Sequence, residues 1–499
     1  MKYVGQKLGH LARSRLFFWL ILGFFIVEAS WIAISARYPM AFDEGSHLGI
    51  IKIYAHQWSP ILAHQPPGPA TYGALTTDPS YLYHYLLSFP YRLLDSLLAN
   101  KMLVIVALRF INIAFFAAGL VFFRNLLLKT KASVAVVHVS LLFFVLTPVV
   151  PLLAGQINYD NLLMVLLPLN LLQALRFREQ LLKKRLNLAL LFYTISLGLL
   201  ASLVVFVYLP MLTAVATYLL YLVWRHARQT HHFWLNLPKA WRTVSKFHKI
   251  ASVVILVISS GMFVQRYGVA IVRYHNLIPQ CGQVLSVEQC SAYGPWARNY
   301  NYAQSKQPQT TANPLYFAGG WLYGMYLRSF FAINGPGPVA NFDNEPPLPL
   351  ITLAAITVFV FGIYLFIRYG RRLLRGDPGM VFLLFVGLIY LVALIGRNYH
   401  DYVQLGHLVA INGRYLVLII LPILVLMGQA YKMFLPKQWQ GALLAVVFLL
   451  FLQGGGFLSF IYDSNNDWYR HDSQTILNIN QHAHKLVRPF ILNWPINDD

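Results

Sequence analysis

Apolar residues gather in long runs near 16–36, 103–123, 134–151, 161–175, 187–203, 205–224, 250–268, 349–368, 380–396, 414–431 and 440–461. Runs of this length match the roughly 20 residues a helix needs to cross a bilayer, although a few fall short. The pattern predicts an all-α polytopic membrane protein with about eleven transmembrane helices. The stretch 187–224 is one continuous run that must be cut in two. Pro210 and the segment around Gly198 supply a break without locating it. Three polar stretches are substantial, at 37–102, 269–348 and 462–499. The expected organisation is therefore a multi-span domain over 1–461, with two large loops and a short C-terminal tail.

Within the first loop, Leu48, Ile51, Ala55 and Trp58 share a face at helical spacing. Residues 43–58 thus read as an amphipathic helix on the bilayer surface, followed by a second apolar–aromatic segment over 81–98.

Composition sharpens the class. Hydrophobic residues make up 58% of the 499 and charged residues 11%, against about 25% charged in ordinary soluble proteins. So few charges cannot cover a water-facing surface. The net charge of +22 is not the mark of a nucleic-acid binder, because the basic residues lie in short runs between apolar segments. With the N-terminus inside, 24 of the 39 Lys and Arg residues fall on inner segments, with only Glu179 and Asp377 beside them. The positive-inside rule selects that orientation. The first run exceeds the 7–15 residues of a signal-peptide core and reads as retained. The tail is then expected outside, as is most of the acidic chemistry, in a membrane such as the bacterial cytoplasmic membrane.

Two acids, Asp43 and Glu44, follow the first span directly, in a chain with 17 acids in all. At a helix start they serve either as caps or as a catalytic pair. Asp160 stands at the edge of the fourth span on the same side, within Gly155-Gln-Ile-Asn158-Tyr159-Asp160-Asn161. His47, His56, His64 and His84 share the first loop without a diagnostic metal-ligand spacing, which leaves a divalent metal open. Cys281 and Cys290, the only cysteines, lie nine apart in the second large loop. A disulfide is the simple reading on an oxidising side, and two free thiols the alternative. Glu28 and Arg109, each inside a span at similar depth, are expected to pair, because isolated charges there are costly.

Taken in order, these motifs resemble those of the GT-C superfamily of membrane glycosyltransferases, which includes protein O-mannosyltransferases and bacterial lipid A aminoarabinose transferases. Phe42-Asp43-Glu44 matches the family's acidic motif in the first loop. Thr77-Asp78-Pro79-Ser80-Tyr81-Leu82-Tyr83 is similar to its His-Pro-Pro-Leu-Tyr-Tyr segment, with Asp78 and Ser80 departing from it. Asn158-Tyr159-Asp160 resembles polar residues the family places before the fourth span, and Gly413-Arg414-Tyr415 is similar to a Gly-Arg-Tyr before a late span. The likeness covers roughly the first seven spans.

The resemblance implies transfer of a sugar from a polyprenyl-phosphate carrier to an acceptor hydroxyl on a lipid, glycan or protein at the outer face. In that reading Asp43 is the general base, with Glu44 and Asp160 beside it in the catalytic set. His84, Tyr81 and Asp78 would line the substrate site. The leaving phosphate calls for a cation. Arg414 is the first candidate, ahead of Arg397, Arg328 and Lys52, and its alternative role is an interfacial anchor. The rival reading is a transporter or flippase of a lipid-linked or small substrate. It needs ionisable groups along a path through the bilayer. The acids crowd one membrane edge instead.

Overall fold

The computed structural model describes residues 9–229, 233–305, 313–330, 349–453, 459–462 and 468–490. Parts of the 269–348 loop and of the 462–499 tail, and residues 454–458 of the last apolar run, lie outside the described residues. Where they are described, all eleven apolar runs are mainly helical, and no β-strand occurs among the described residues. Among the described residues, seven helices are long and apolar enough to cross a membrane: Arg15–Ser35, Lys101–Leu127, Phe206–Gln229, Lys246–Tyr274, Pro349–Leu374, Pro378–Leu405 and Gly413–Phe434. Large apolar side chains such as Val27, Val272, Leu350 and Ile367 are more than 70% exposed, as lipid-facing residues must be. The protein is an all-α, multi-pass membrane protein.

The other four runs are helical but shorter or more polar. Run 134–151 breaks into Val134–Val145 and Val149–Ala154 at Thr147-Pro148, where proline has no N–H to continue the ladder. Asp160–Leu182 is long enough, but it carries Asn161, Asn170, Gln173 and three charged residues, Arg176, Arg178 and Glu179, in its last turns. Leu188–Val204 and Lys437–Gln453 each have 17 residues. The ambiguous 187–224 stretch divides at Val205, whose extended backbone separates Leu188–Val204 from the short Phe206–Tyr208 turn. Pro210 then sits in the first turn of Leu209–Gln229, where its missing N–H costs nothing.

Side-chain contacts sort the connections onto two ends of the bundle. At one end Lys129 pairs with Glu179, Asp377 accepts from the Lys131 N–H, and Lys432 donates to Ser133. At the other, Ser35–Arg37 meets Trp468–Arg470 through Arg37 N–H to Trp468 O (2.8 Å) and Arg470 N–H to Ser35 O (2.9 Å). The Trp31 indole also donates to Asn480, which docks the Gln474–Val487 helix on the first span. At the centre, Lys101–Leu127 packs so closely on Asp160–Leu182 that a Cβ on Gly119 would lie 2.3 Å from the Met164 carbonyl oxygen. That contact holds together the two helices that carry Arg109 and Asp160.

The first-loop helix, Glu44–Ala55, is sunk into the protein and does not lie on the surface. Leu48, Ile51 and Tyr54 are buried, with the Leu82–Leu97 helix packed alongside. Trp58, expected on the same face, lies beyond the helix end and is 78% exposed, under the Arg92 guanidinium. Arg92 ties the two helices by donating to the Tyr54, Ala55 and Gln57 carbonyls at the helix end.

Candidate active site at one end of the bundle

The site begins with an ion pair that the sequence misassigns. Arg109 lies in the third turn of Lys101–Leu127 and faces the end of the first span. Its Nε and Nη2 each donate to Glu44 at 2.8 Å, and neither side chain has any exposure. Nη1 donates to the Ala33 and Ala36 carbonyls, and Nη2 also reaches that of Arg37. All five guanidinium donors are thus engaged, some on carbonyls left over where a helix ends. Glu44 accepts two further bonds, from the backbone N–H of Met40 (2.7 Å) and of Ile157 (3.1 Å).

Two corrections follow. The expected Glu28–Arg109 pair does not form, because the first loop folds back and supplies Glu44 in place of Glu28. Both Glu28 carboxyl oxygens are buried without a hydrogen-bond partner among the described residues. Glu44, placed in the catalytic set from sequence, has its acceptor sites filled by the protein itself and acts as a structural clamp. It joins the first loop to the segment before the fourth span.

Asp43 points elsewhere. Its backbone is left-handed (φ 67°) and its side chain makes no capping bond to the helix that follows, which removes the cap reading. The carboxylate is 58% exposed and meets Arg414 Nη2 at 3.0 Å. Arg414 is buried, donates from Nη1 to the Phe42 carbonyl (2.9 Å) and keeps an unpartnered Nε. It is therefore a buried partner of the first loop and not a surface anchor. Asp160 belongs to the same centre and is also buried, with one oxygen unpartnered. It lies one residue outside the fourth apolar run. Burial pushes its carboxyl up to about 6, with Arg414 opposing the rise and Asp43 adding to it.

The Asn158 side chain holds this arrangement by donating to Phe42 O (2.9 Å), while its Oδ1 accepts from the Asp160 N–H. Beneath lies Asn112, one turn beyond Arg109, whose Oδ1 accepts from Tyr83, Asn161 and the Asn158 N–H. A buried amide with this many partners fixes Asp43 and Asp160 relative to one another.

His47 and His84 form a stacked pair beside the acids, with His47 Nδ1 2.9 Å from His84 Nε2. His84 Nδ1 lies 3.0 Å from the Ser80 carbonyl, which only accepts, so that nitrogen carries the proton. With both rings neutral, His84 Nε2 is then an acceptor and His47 Nδ1 its donor. His47 Nε2 is left as a buried lone pair without a partner, next to the Tyr159 ring. Burial drives His84 down to about 3. It also holds His47 well below its usual value, with His84 and Arg414 adding to the effect. His56 and His64 are exposed, and no three of His, Cys, Asp and Glu gather as metal ligands among the described residues.

A second polar cluster adjoins the first. Arg266, 3% exposed, donates from Nη1 to the Thr76 carbonyl and lies over the Tyr81 ring, with Nε and Nη2 unpartnered. The Tyr54 and Tyr81 hydroxyls turn toward its guanidinium, short of a well-formed hydrogen bond. Asp78 accepts from the Ser80 N–H (2.8 Å), and burial pushes its carboxyl up. Tyr293, from the loop stapled by the Cys281–Cys290 disulfide, feels both Asp78 and Asp43 and so adjoins both clusters. Its ring sits against Gly73, and Ala70 N–H donates to Gln289 O.

The structure thus gathers Asp43, Asp160, Arg414 and His84 in one region, with Asp78 and Tyr81 beside Arg266. Arg397 is exposed and lies over the ring of Phe206, whose N–H donates to Ser80. Arg328 donates to the Ile411 carbonyl, and Lys52 is exposed on the Glu44–Ala55 helix. Sequence reasoning named His47 only as one of four loop histidines open to a metal, and it missed Asn112 and Arg266. A cation inside the apolar run 250–268 is itself a signal of function.

No protein-family model, curated protein or solved structure matches the chain.

Proposed function

We propose that the protein is a membrane glycosyltransferase that moves a sugar from a polyprenyl-phosphate carrier to an acceptor hydroxyl at the Asp43 end of the bundle. The observation that carries this reading is the meeting of Asp43, Asp160 and Arg414 from three distant parts of the chain, beside a buried guanidinium with free donors. The reachable carboxylate of Asp43 takes the acceptor proton as the hydroxyl oxygen attacks the anomeric carbon. The bond from that carbon to the phosphate oxygen breaks, and its electron pair leaves with the lipid phosphate. Nε and Nη2 of Arg266 and the Tyr54 and Tyr81 hydroxyls supply donors for that anion. Asp78, made easier to neutralise by burial, opposes the anion less than an ordinary carboxylate would.

The test is transfer by the purified protein in lipid nanodiscs, offered a panel of polyprenyl-phosphate sugars and read by mass spectrometry of the acceptor. Asp43→Asn should cut the rate by about 10²-fold or more. Activity of Asp43→Asn and Asp160→Asn at the native level would remove the enzyme reading.

The transporter remains as a second reading, favoured by Glu28, whose buried carboxyl has no partner among the described residues. Substrate flux into proteoliposomes that disappears in Glu28→Gln, with no covalent transfer, would establish it.

A further inference from the structure

Asp160 opens the Asp160–Leu182 helix, and Gln180 lies twenty residues further along it. At 1.5 Å per residue, Gln180 is about 30 Å from the Asp43 centre, the thickness of a bilayer's hydrocarbon layer. There, between the ends of the helices, opens a cavity of about 840 Å³. Its polar wall carries Lys184, Arg185, His226 and His248, and among the described residues no Asp or Glu lines it.

The acids at this end are already committed. Glu179 pairs with Lys129 at 3.0 Å, and Asp377 accepts from the N–H groups of Lys131 and Met380. No ion pair engages Lys184 or Arg185 among the described residues. The cavity is thus a cationic recess at the level of lipid headgroups. Leu186, Leu190 and Val244 add apolar surface beside these cations, and the Tyr193 hydroxyl meets His248 Nδ1 at 3.4 Å. Such a surface accepts an acyl chain, for which a soluble anion has no use. Basic recesses between transmembrane helices are known headgroup sites.

We infer that this cavity binds the phosphodiester headgroup of an anionic lipid from the leaflet at that end. Lys184 and Arg185 contact the phosphate, and the apolar surface carries the first part of one chain. The site is separate from the one proposed for sugar transfer and does not depend on that reading.

Native mass spectrometry of the full-length protein, with phosphatidylglycerol and phosphatidylcholine of identical chains, tests it directly. Phosphatidylglycerol should be retained in clear preference. Each cation near a lipid phosphate contributes about fivefold, so Lys184→Gln/Arg185→Gln together should weaken retention roughly 25-fold. Arg185→Lys, which keeps the charge, should lose little. Arg371→Gln/Arg372→Gln, at the same end but outside the cavity, should leave retention unchanged. Equal retention of the two lipids overturns the proposal without any variant, so the test holds even where a substitution prevents folding. An equal loss in the Arg371/Arg372 variant overturns it too, by showing attraction to bulk charge only. Inorganic phosphate bound as tightly as the lipid would assign the cavity to a soluble anion and overturn the lipid assignment.

Discussion

The Arg109 guanidinium and the Glu44 carboxylate meet through two bonds of 2.8 Å, 65 residues apart in sequence and wholly shielded from solvent. A buried pair of this kind gives modest net stability when intact, but removing one partner strands a charge. Arg109→Met and Glu44→Ala should therefore each cost about 3–5 kcal/mol. The checks are the thermal midpoint in detergent and the yield of monodisperse protein. Midpoints equal to wild type would mean that the pair is not the clamp described.

Asp43 and Asp160 differ in access, and the difference should be visible in kinetics. Asp43 is open to a substrate, whereas Asp160 is buried and titrates near 6. With Asp160 ionised above that value, the transfer rate should rise with pH through about 6 and then level. Asp160→Asn should abolish that limb while keeping more activity than Asp43→Asn. A pH–rate profile of both variants on a transferred sugar decides the assignment.

The histidine pair makes a separate prediction, on stability. His84 and His47 titrate below their unfolded value of 6.5. Between the folded and unfolded values the unfolded chain binds more protons, so each histidine contributes stability that is present above pH 6.5 and lost on acidification. Asp78 and Asp160, both raised, titrate in the opposite sense. The informative quantity is the difference between proteins. Wild type should lose stability faster than His47→Gln/His84→Gln as pH falls below 6.5, by up to about 1.4 kcal/mol per pH unit for each histidine. Parallel pH–stability curves would contradict it.

Two glycines offer a matched test of helix packing. A Cβ on Gly119 meets backbone oxygen at 2.3 Å, while one on Gly261 meets nothing within 4 Å. Gly119→Val should destabilise by about 1–3 kcal/mol or more through overpacking, and Gly261→Val should be close to neutral. Thermal unfolding in the same detergent compares them.

The helices were legible because lipid imposes one rule on every segment: long apolar runs with internally satisfied backbones. Alternation of charge along the chain also anticipated which connections share an end, as the Lys129–Glu179 and Lys432–Ser133 contacts illustrate. The pairing of Arg109 was not legible. Depth in a span ranks partners only among spans, and the true partner came from a loop that folds back to the membrane edge. The His47–His84 bond joins residues 37 apart through the docking of two loop helices, which no local spacing encodes. Arg414 was named for its motif, but its partner Asp43 depends on the packing of the last third of the chain against the first.

That last contact spans 371 residues. At about 5–20 residues per second, a ribosome needs roughly 20–75 s between making Asp43 and making Arg414. For most of that interval the first loop is already out of the ribosome while its guanidinium partner does not yet exist. A chain halted before residue 414 has both residues of the Glu44–Arg109 clamp and both histidines and still lacks the cation beside Asp43. The Asp43–Arg414 contact is therefore closed late in biosynthesis, after most of the bundle has been made.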